Sequence, residues 1–283
     1  MSLRKKQTPA YNCSVLFMKK KAQLLSLIIP SYKQEKTIVK DIQRIKKSVE
    51  VLKISYEIII VVDGFLDKTF VRAKRLRSKK IKVIGYLHNH GKGYAVRFGM
   101  AKAKGNLIAF LDAGMDLHPK AIKEMLTCLE EHEAHIVIGS KLHPNSKVYY
   151  PWQRKILSWG YRSMVHALFG LSIRDTQVGL KLFRREVLED VLPRLLVKQF
   201  AFDIEMLAVA HAIGYKKIVE FPIALQFRNW SSITSKNFMK TSFLMLWDTA
   251  AVYYRLRIRK YYSKKSKRQW RYDPELNFRI NTG

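Results

Sequence analysis

Short apolar runs that alternate with helical segments are the feature that most constrains how this chain folds. Leu24–Ile29 and Glu57–Val62 are rich in Ile, Leu and Val, and both stop at turn-forming residues. Between them, Thr37–Leu52 carries apolar residues at helical spacing. Further apolar segments follow at residues 81–86, 106–111 and 135–139. The pattern predicts an α/β domain with a largely parallel sheet, whose strands are buried on both faces.

The charge balance implies an anionic partner. The 283 residues include 53 Lys and Arg against 22 Asp and Glu, a formal net charge of +31. Nucleic acid, an acidic membrane face and phosphorylated small molecules are the candidate partners. Because neither a recognition helix nor an aromatic stacking platform accompanies the basic residues, we expect no nucleic acid. Two cysteines, Cys13 and Cys128, exclude a disulfide framework and a cysteine-based zinc site.

Two carboxylates follow the strand predicted at residues 106–111. Asp112 and Asp116, separated by a segment with a glycine, are candidates to hold a divalent cation. Mg²⁺ takes one or two carboxylates and completes its coordination with substrate phosphates. The structural alternative is a turn in which Asp116 caps the helix that Pro119 begins. Asp63 follows another strand and is expected at the same edge of the sheet, where ligands of such sheets bind.

A glycine-containing segment precedes the helical stretch at residues 91–103. Gly91-Lys92-Gly93 allows the backbone to approach phosphates and supplies a cation, although its spacing is not that of a Walker loop. Taken alone, this segment does not identify a phosphate site.

In their order and spacing, these segments resemble the family 2 glycosyltransferases of the GT-A fold. The matching segments of the first half are Ile29–Glu35, Val61–Gly64, Gly91–Arg97 and Phe110–Ala113. The second half resembles the dolichyl- and polyprenyl-phosphate sugar synthases, in Ile138–Lys141, Arg154–Ser158, Asp175–Arg184, Phe202–Glu205, Arg228 and Ser235-Lys236. The resemblance covers about residues 24–240. It implies a GT-A, Rossmann-like α/β fold with a mixed, mostly parallel central sheet.

The resemblance also implies a site for a nucleotide-sugar. The residues that match the family's base and ribose positions are Pro30, Tyr32, Glu35 and Asp63. The family usually has Asp-Asp-Gly at the last of these positions, where this chain has Asp63-Gly64. This departure makes the selectivity for the nucleotide base less well defined. Between the two donors considered, we favour a UDP-sugar over a GDP-sugar.

The family's Asp-x-Asp motif binds the metal ion and the donor diphosphate. Asp112 and Ala113 match its start, whereas the second carboxylate, Asp116, follows two additional residues. His118 matches a further position beside the metal. The resemblance implies Mg²⁺ or Mn²⁺ as cofactor, and Lys92 is expected to neutralise the leaving diphosphate together with it.

Basic residues of the second half match positions that contact phosphates in the polyprenyl-phosphate branch. Lys141 and Arg154 are the clearest, and Arg228 and Lys236 are expected to join them. The alternative for each is a solvated surface cation. A lipid-phosphate acceptor is already ionised, whereas a hydroxyl acceptor requires a general base.

Two acidic residues match the family's later acidic motif. Asp203 is the first candidate for a general base and Glu205 the second. The alternative for Glu205 is an ion pair in the core.

The resemblance implies an inverting hexosyltransferase that moves a sugar, for which we favour glucose from UDP-glucose, to a polyprenyl or dolichyl phosphate at a membrane surface. Asp175–Arg184 looks more like the glucosyl than the mannosyl branch. Two alternatives remain: transfer to a saccharide hydroxyl by a soluble enzyme, and a catalytically inactive relative, which the altered Asp-x-Asp motif allows.

We expect three parts in the chain: a basic arm at residues 1–23, the catalytic domain at 24–236, and an amphipathic helix with a basic tail at 237–283. The last part favours an interfacial anchor on anionic lipid, through Phe238, Phe243, Leu244, Leu246, Trp247, Ala251 and Tyr254. The alternative is a core-packing helix with a solvated tail. No apolar run reaches the roughly 20 residues that span a bilayer. We therefore expect a cytoplasmic protein that is peripheral on the inner face of the membrane; the oligomeric state is left open.

Overall fold

The computed structural model describes residues 23–113, 119–146, 152–199, 201–223, 238–263, 270–273 and 278–281. Its strands are β1 (Leu24–Ser31), β2 (Ser55–Asp63), β3 (Ile81–Tyr86), β4 (Leu107–Leu111), β5 (Ile136–Ser140), β6 (Leu180–Arg184), β7 (Ile218–Pro222), β8 (Trp270–Asp273) and β9 (Phe278–Asn281). Its α-helices are α1 (Ile38–Glu50), α2 (Thr69–Lys74), α3 (Lys92–Ala101), α4 (Pro119–Glu131), α5 (Trp152–Phe169), α6 (Arg185–Val191), α7 (Phe202–Ala212) and α8 (Phe238–Tyr253). A 3₁₀ turn at Leu192–Arg194 follows α6, and one π-helical turn at Tyr254–Ile258 follows α8.

Seven strands form one sheet in the order β3-β2-β1-β4-β6-β5-β7. All neighbours pair in parallel except β6, which is antiparallel to both β4 and β5. The carboxyl ends of β1, β2, β4 and β5 therefore lie at the same edge of the sheet as the start of β6. In the register, Leu111 at the end of β4 is opposite Leu180 at the start of β6. The predicted mixed, mostly parallel α/β fold is confirmed.

Strand alternation divides the apolar residues between two helical layers. Leu27 and Ile29 face a layer that contains α1 and α4, whereas Ile28 faces the layer of α3, α5, α6 and α7. Successive side chains of a strand point to opposite faces, so a strand covered on both sides must be apolar at every position. Burial on both faces thus explains why the apolar runs of these strands are uninterrupted.

The described part of the C-terminal segment packs on the main sheet domain. Val252, Tyr261 and Tyr262 are buried in the same cluster as α7. The boundary expected between residues 236 and 237 lies outside the described residues, as do residues 1–22 of the expected basic arm. Within the described ranges, no helix combines the length and apolar character needed to cross a bilayer.

Candidate active site

Four charged side chains of alternating sign form a row from the core to the carboxyl edge of the sheet. Nζ of Lys181 donates to Oδ1 of Asp203 at 2.6 Å. The other oxygen of Asp203 lies 3.9 Å from Nζ of Lys92, which contacts Oδ1 and Oδ2 of Asp112 at 2.8 and 2.9 Å. Side-chain exposure rises along the row, from 0% at Lys181 through 6% and 22% to 39% at Asp112. The outer end of this charge row is open to a ligand, and the inner end is not.

Asp112 is placed by the pairing of β4 with β6. It follows β4 directly, and its N–H donates to the carbonyl of Gly179 at 2.9 Å. A Cβ at Gly179 would collide with the Asp112 carboxylate. The absence of a side chain at this glycine is therefore what allows the carboxylate its present position.

Lys92 is placed by glycines on both sides. Gly91 has φ of +99°, a conformation that glycine adopts readily, and Lys92 is the first residue of α3. A Cβ at Gly93 would lie 2.5 Å from Cβ of Phe202, the first residue of α7. The close approach of α7 to these glycines brings Asp203 beside Lys92.

The surroundings of Lys92 favour its charged form. Burial works against the ammonium, but Asp203 and Asp112 outweigh it, and the pKa of Lys92 is raised above its ordinary value. At Lys181 burial dominates and lowers the pKa, while Asp203 acts in the opposite direction. The ring of Phe110 faces both ammonium groups, with its centroid 5.8 Å from Nζ of Lys92 and 5.0 Å from Nζ of Lys181.

Asp63 holds the backbone of the loop before α3, besides the role that the resemblance implied. Its carboxylate is buried and accepts hydrogen bonds from Nδ2 of Asn89 at 2.7 Å, the N–H of His90 at 2.8 Å and the N–H of Gly91 at 3.0 Å. Asp63 thereby fixes the loop that leads into α3. Its expected contact with base or ribose stays a prediction.

The turn after β1 carries the other predicted nucleotide residues. Pro30 is in β1, and Tyr32, just beyond it, is 46% exposed. Glu35 accepts a hydrogen bond from the N–H of Lys68 at 3.1 Å, and its own N–H donates to Asp67 at 3.3 Å. These bonds join the turns that follow β1 and β2.

An exposed apolar ledge adjoins this turn. We define it as four exposed side chains beyond the ends of the adjacent strands β1, β2 and β3: Tyr32, Phe65, Leu66 and Leu87. Asp67, which anchors the turn through Thr69, was not among the predicted residues. Its signal was an Asp two residues before Thr69, the spacing of an Asx turn, in which the carboxylate accepts from the backbone N–H two residues on.

Lys141 follows β5 at the same edge. Its N–H donates to the buried Asp175 at 3.1 Å, and the N–H of Asp175 donates to Glu220 of β7 at 3.0 Å. Arg154 belongs to α5, in a stretch whose side chains are outside the described part of the chain. Four other predicted residues also lie outside the described residues: Asp116, His118, Arg228 and Lys236.

Glu205 is not available as a general base, and this corrects the prediction. It is fully buried and accepts hydrogen bonds from the N–H groups of Leu196 and Val197 and from the hydroxyl of Tyr262. Nη1 of Arg255 is 3.9 Å from Oε1, which agrees with the alternative of a core ion pair. Burial raises the pKa of Glu205 against the opposing effect of these partners. The carboxyl group connects α7 to the loop before it and to the C-terminal segment.

The residues at the open edge fit a divalent cation that is shared with a ligand. Among the described residues, no three His, Cys, Asp or Glu side chains are close enough to hold a metal ion by themselves. Asp112 nevertheless presents a carboxylate that is 39% exposed at this edge. One such carboxylate, completed by ligand phosphates, is a usual arrangement for Mg²⁺.

Comparison with known proteins identifies the family. The family described as "Glycosyl transferase family 2" matches residues 26–192. The dolichyl-phosphate beta-glucosyltransferase of Homo sapiens is 32% identical over 225 residues, which cover 74% of this chain and 68% of the relative. The enzyme of the same name from Dictyostelium discoideum is 31% identical, covering 74% of this chain and 67% of the relative.

Solved structures share the fold. Glucosyl-3-phosphoglycerate synthase from Mycobacterium tuberculosis, in complex with Mn²⁺, UDP and glucosyl-3-phosphoglycerate, has a TM-score of 0.61 at 17% identity, covering 81% of this chain and 80% of its own. Mannosyl-3-phosphoglycerate synthase from Rubrobacter xylanophilus has a TM-score of 0.64 at 16% identity, covering 89% and 82%. The protein therefore belongs to glycosyl transferase family 2, in the branch of the dolichyl-phosphate sugar synthases, and is a glycosyltransferase of the GT-A fold.

Proposed function

We propose that this glycosyltransferase moves glucose from UDP-glucose to dolichyl phosphate or a related polyprenyl phosphate, with inversion at the anomeric carbon. Relatives that act as dolichyl-phosphate beta-glucosyltransferases support this choice of sugar and acceptor.

The proposal rests mainly on the surroundings of the two predicted general bases, Asp203 and Glu205. Asp203 is bound to Lys181 and faces Lys92, and Glu205 is enclosed by the core. Both carboxylates are buried, so neither is presented to the hydroxyl group of an acceptor. A phosphate acceptor is already an anion at neutral pH and needs no such base, so the geometry favours it over a saccharide hydroxyl.

In the proposed reaction, an oxygen of the acceptor phosphate attacks the anomeric carbon from the side opposite the diphosphate. The bond between that carbon and the diphosphate oxygen breaks, and UDP leaves with the electron pair. Lys92, whose ammonium contacts Asp112 at the open edge, would neutralise the charge that develops on the diphosphate. Asp112 would hold Mg²⁺ or Mn²⁺, with Asp116 and His118 as further candidates, and the ion would supply Lewis-acid neutralisation of the same diphosphate.

The two substrates occupy separate parts of the edge in this proposal. The apolar ledge would receive the uracil and ribose beyond β1, β2 and β3, with Tyr32 at the end of the ledge that is nearest to β4. Lys141 lies beyond β5 and would meet the acceptor phosphate, with Arg154, Arg228 and Lys236 as additional cations. Fixed cations offset the repulsion between an anionic acceptor and the donor diphosphate.

An exposed apolar face favours action at a membrane surface. On α8, Phe243 is 65% and Trp247 67% exposed, and the hydroxyls of Tyr161 on α5 and Thr249 on α8 lie 3.1 Å apart. We call the following exposed set the α5–α8 face: Trp159, Phe243, Leu244, Leu246, Trp247, Tyr254 and Ile258. Arg257, Arg259 and Lys260 are neighbours of Ile258, the last residue of this face, in the chain. Exposed aromatic residues beside cations suit an anionic lipid interface on the cytoplasmic side, where a lipid-linked phosphate is held.

The test is a donor and acceptor screen with the full chain and Mg²⁺, scored by nucleoside diphosphate release. We expect UDP release from UDP-glucose when a short polyprenyl phosphate is present, and much less with GDP-mannose. Product that forms only with a saccharide acceptor would overturn the proposed acceptor. Equal rates for the wild type and Asp112→Asn with every donor would instead favour an inactive relative.

A further inference from the structure

Lys181 is an unusual residue in its position. It lies in the middle of β6, opposite Phe110 of β4 and Ile138 of β5, and is fully buried. Its neighbours Leu180 and Leu182 face one helical layer, so strand alternation directs Lys181 to the layer of α3 and α7. Besides Asp203, its ammonium donates to the carbonyl of Val178 at 2.7 Å.

Stability alone gives little reason to keep an ammonium at this place. Withdrawing two charges from water costs free energy, and replacing a buried ion pair by apolar residues of similar volume is often neutral or stabilising. A leucine or methionine would suit the apolar surroundings of β6. The charge of Lys181 is better explained by its effect on its partner, Asp203, and through Asp203 on Lys92.

Two lysines lie near the Asp203 carboxylate, at different distances. Lys181 occupies Oδ1 at 2.6 Å, and Lys92 stays 3.9 Å from Oδ2. Lys92 makes its short contacts outward, to Asp112. Without the charge of Lys181, Asp203 would be a buried carboxylate with Lys92 as its remaining near cation. Attraction in the poorly polarisable interior is strong, so Lys92 would be drawn inward.

We propose that Lys181 is a positioning residue for the transfer reaction. By satisfying Asp203 from the core side, it keeps Lys92 at the outer end of the charge row, where the ammonium meets the donor diphosphate. Lys181 itself contacts neither substrate. The inference rests on the proposed function, because it gives Lys92 its task in neutralising a nucleotide-sugar.

The first experiment substitutes Lys181→Met, which keeps the length of the side chain and removes its charge. In a crystal structure of the variant, Nζ of Lys92 is expected within hydrogen-bond distance of Asp203 and beyond it from Asp112. We expect kcat/KM to fall on the order of 100-fold, as for other misplacements of about 1 Å. UDP-glucose binding, measured by calorimetry with Mg²⁺ and no acceptor, is expected to weaken as well.

The matched control is Lys82→Met in β3, where Lys82 pairs with Glu57 at 3.1 Å. This variant should bind UDP-glucose as the wild type does.

A double-mutant cycle separates this role from a purely structural one. If Lys181 acts through Lys92, the Lys92→Met/Lys181→Met pair should bind and turn over UDP-glucose about as Lys92→Met alone does. Losses that multiply would overturn the proposal, as would a Lys181→Met structure in which Lys92 still contacts Asp112. Should Lys181→Met not fold, Lys181→Gln is measured under the same criteria, since it retains a donor without the charge.

Failure of the proposed function gives a different result. A wild type that transfers to no polyprenyl phosphate would refute the acceptor, while the position of Lys92 in the variant structure would still decide the role of Lys181.

Discussion

Asp112 combines, in one side chain, the contact to Lys92 and the expected contact to the metal ion. Its partial exposure distinguishes it from Asp63, Asp203 and Glu205, which are all buried and bound to protein partners. Of these four carboxylates, it is therefore the one best placed to meet a ligand of the sheet edge.

We expect Asp112→Asn to reduce UDP release by on the order of 100-fold, because one preorganised charge of the diphosphate site is lost. The Mg²⁺ concentration for half-maximal rate should rise, since an amide binds a hard cation less strongly than a carboxylate does. Steady-state rates over a Mg²⁺ titration, with chelator as the zero point, provide the measurement. Chelator-insensitive turnover in the wild type would contradict the metal dependence.

A second residue-scale prediction concerns Glu57 of β2 and the pH dependence of stability. Burial works against the charge of Glu57, but hydrogen bonds from Ser26 and from the N–H of Lys104, with Lys82 nearby, outweigh it and lower the pKa from 4.5. Because the folded-state pKa is the lower one, this stabilisation is present above about pH 4.5 and is lost as the pH falls through the folded value.

Glu57→Gln should therefore unfold at a lower denaturant concentration than the wild type at pH 7. The difference should shrink as the pH falls below about 4.5 and through the lowered folded-state pKa of Glu57, because the wild type then loses the charge that the variant lacks. Chemical denaturation across that range tests it. A gap between the two midpoints that stays constant with pH would show that the carboxylate charge is not the cause.

At the scale of elements, the site depends on backbones that approach closely. β6 meets β4 at Gly179, and α7 meets the start of α3 at Gly93. Because glycine has no side chain, Gly179 leaves room for the Asp112 carboxylate, and Gly93 leaves room for Phe202, the residue before Asp203. The predicted importance of Gly91-Lys92-Gly93 thus has a packing reason, in addition to any approach of phosphate.

Gly179→Ala tests this close packing directly. The new methyl group would displace the Asp112 carboxylate, so we expect a loss of transfer rate on the order of 100-fold. Gly160→Ala in α5 is the matched control, because a Cβ there meets nothing within 4 Å and the change favours the helix by up to about 1 kcal/mol. Equal activity of the two variants would mean that Asp112 tolerates displacement.

At the scale of the whole molecule, the C-terminal segment has two opposite sides. Tyr262 reaches the buried Glu205 at 2.6 Å, whereas Phe243 and Trp247 of the α5–α8 face are exposed. The two interpretations of this segment, a core-packing element and an interfacial anchor, each match one side of it: one part packs in the core, and another presents an apolar surface. Deleting residues 255–283 would damage the core, so point substitutions on the exposed side are the cleaner probe.

We expect Phe243→Ser/Trp247→Ser to weaken sedimentation with vesicles that contain anionic lipid, because two large aromatic anchors leave the interface. The unfolding midpoint should change little, since both side chains are exposed. Val71→Ser on α2, another exposed apolar residue, is the control and should bind vesicles as the wild type does. Unchanged vesicle binding by the double variant would refute the α5–α8 face as the membrane surface.

Much of the fold could be predicted because its elements have local signals. The helix predicted within Thr37–Leu52 is Ile38–Glu50, and the strands predicted from apolar runs are present as β1 to β5. The antiparallel insertion of β6 between β4 and β5 had no such signal. Strand order depends on pairing between distant segments, and a lysine in the middle of β6 interrupts its apolar pattern.

The sequence by itself determined the family, the fold class and the edge of the sheet where Asp112 and Lys92 lie. These follow from local patterns and from motifs whose residues are near one another in the chain. Only the tertiary structure decided that Asp63 and Glu205 serve internal bonds and that Lys181 reaches Asp203. Burial and pairing depend on which distant residues meet, because a charge in the interior is stabilised by its partners and not by its own position in the sequence.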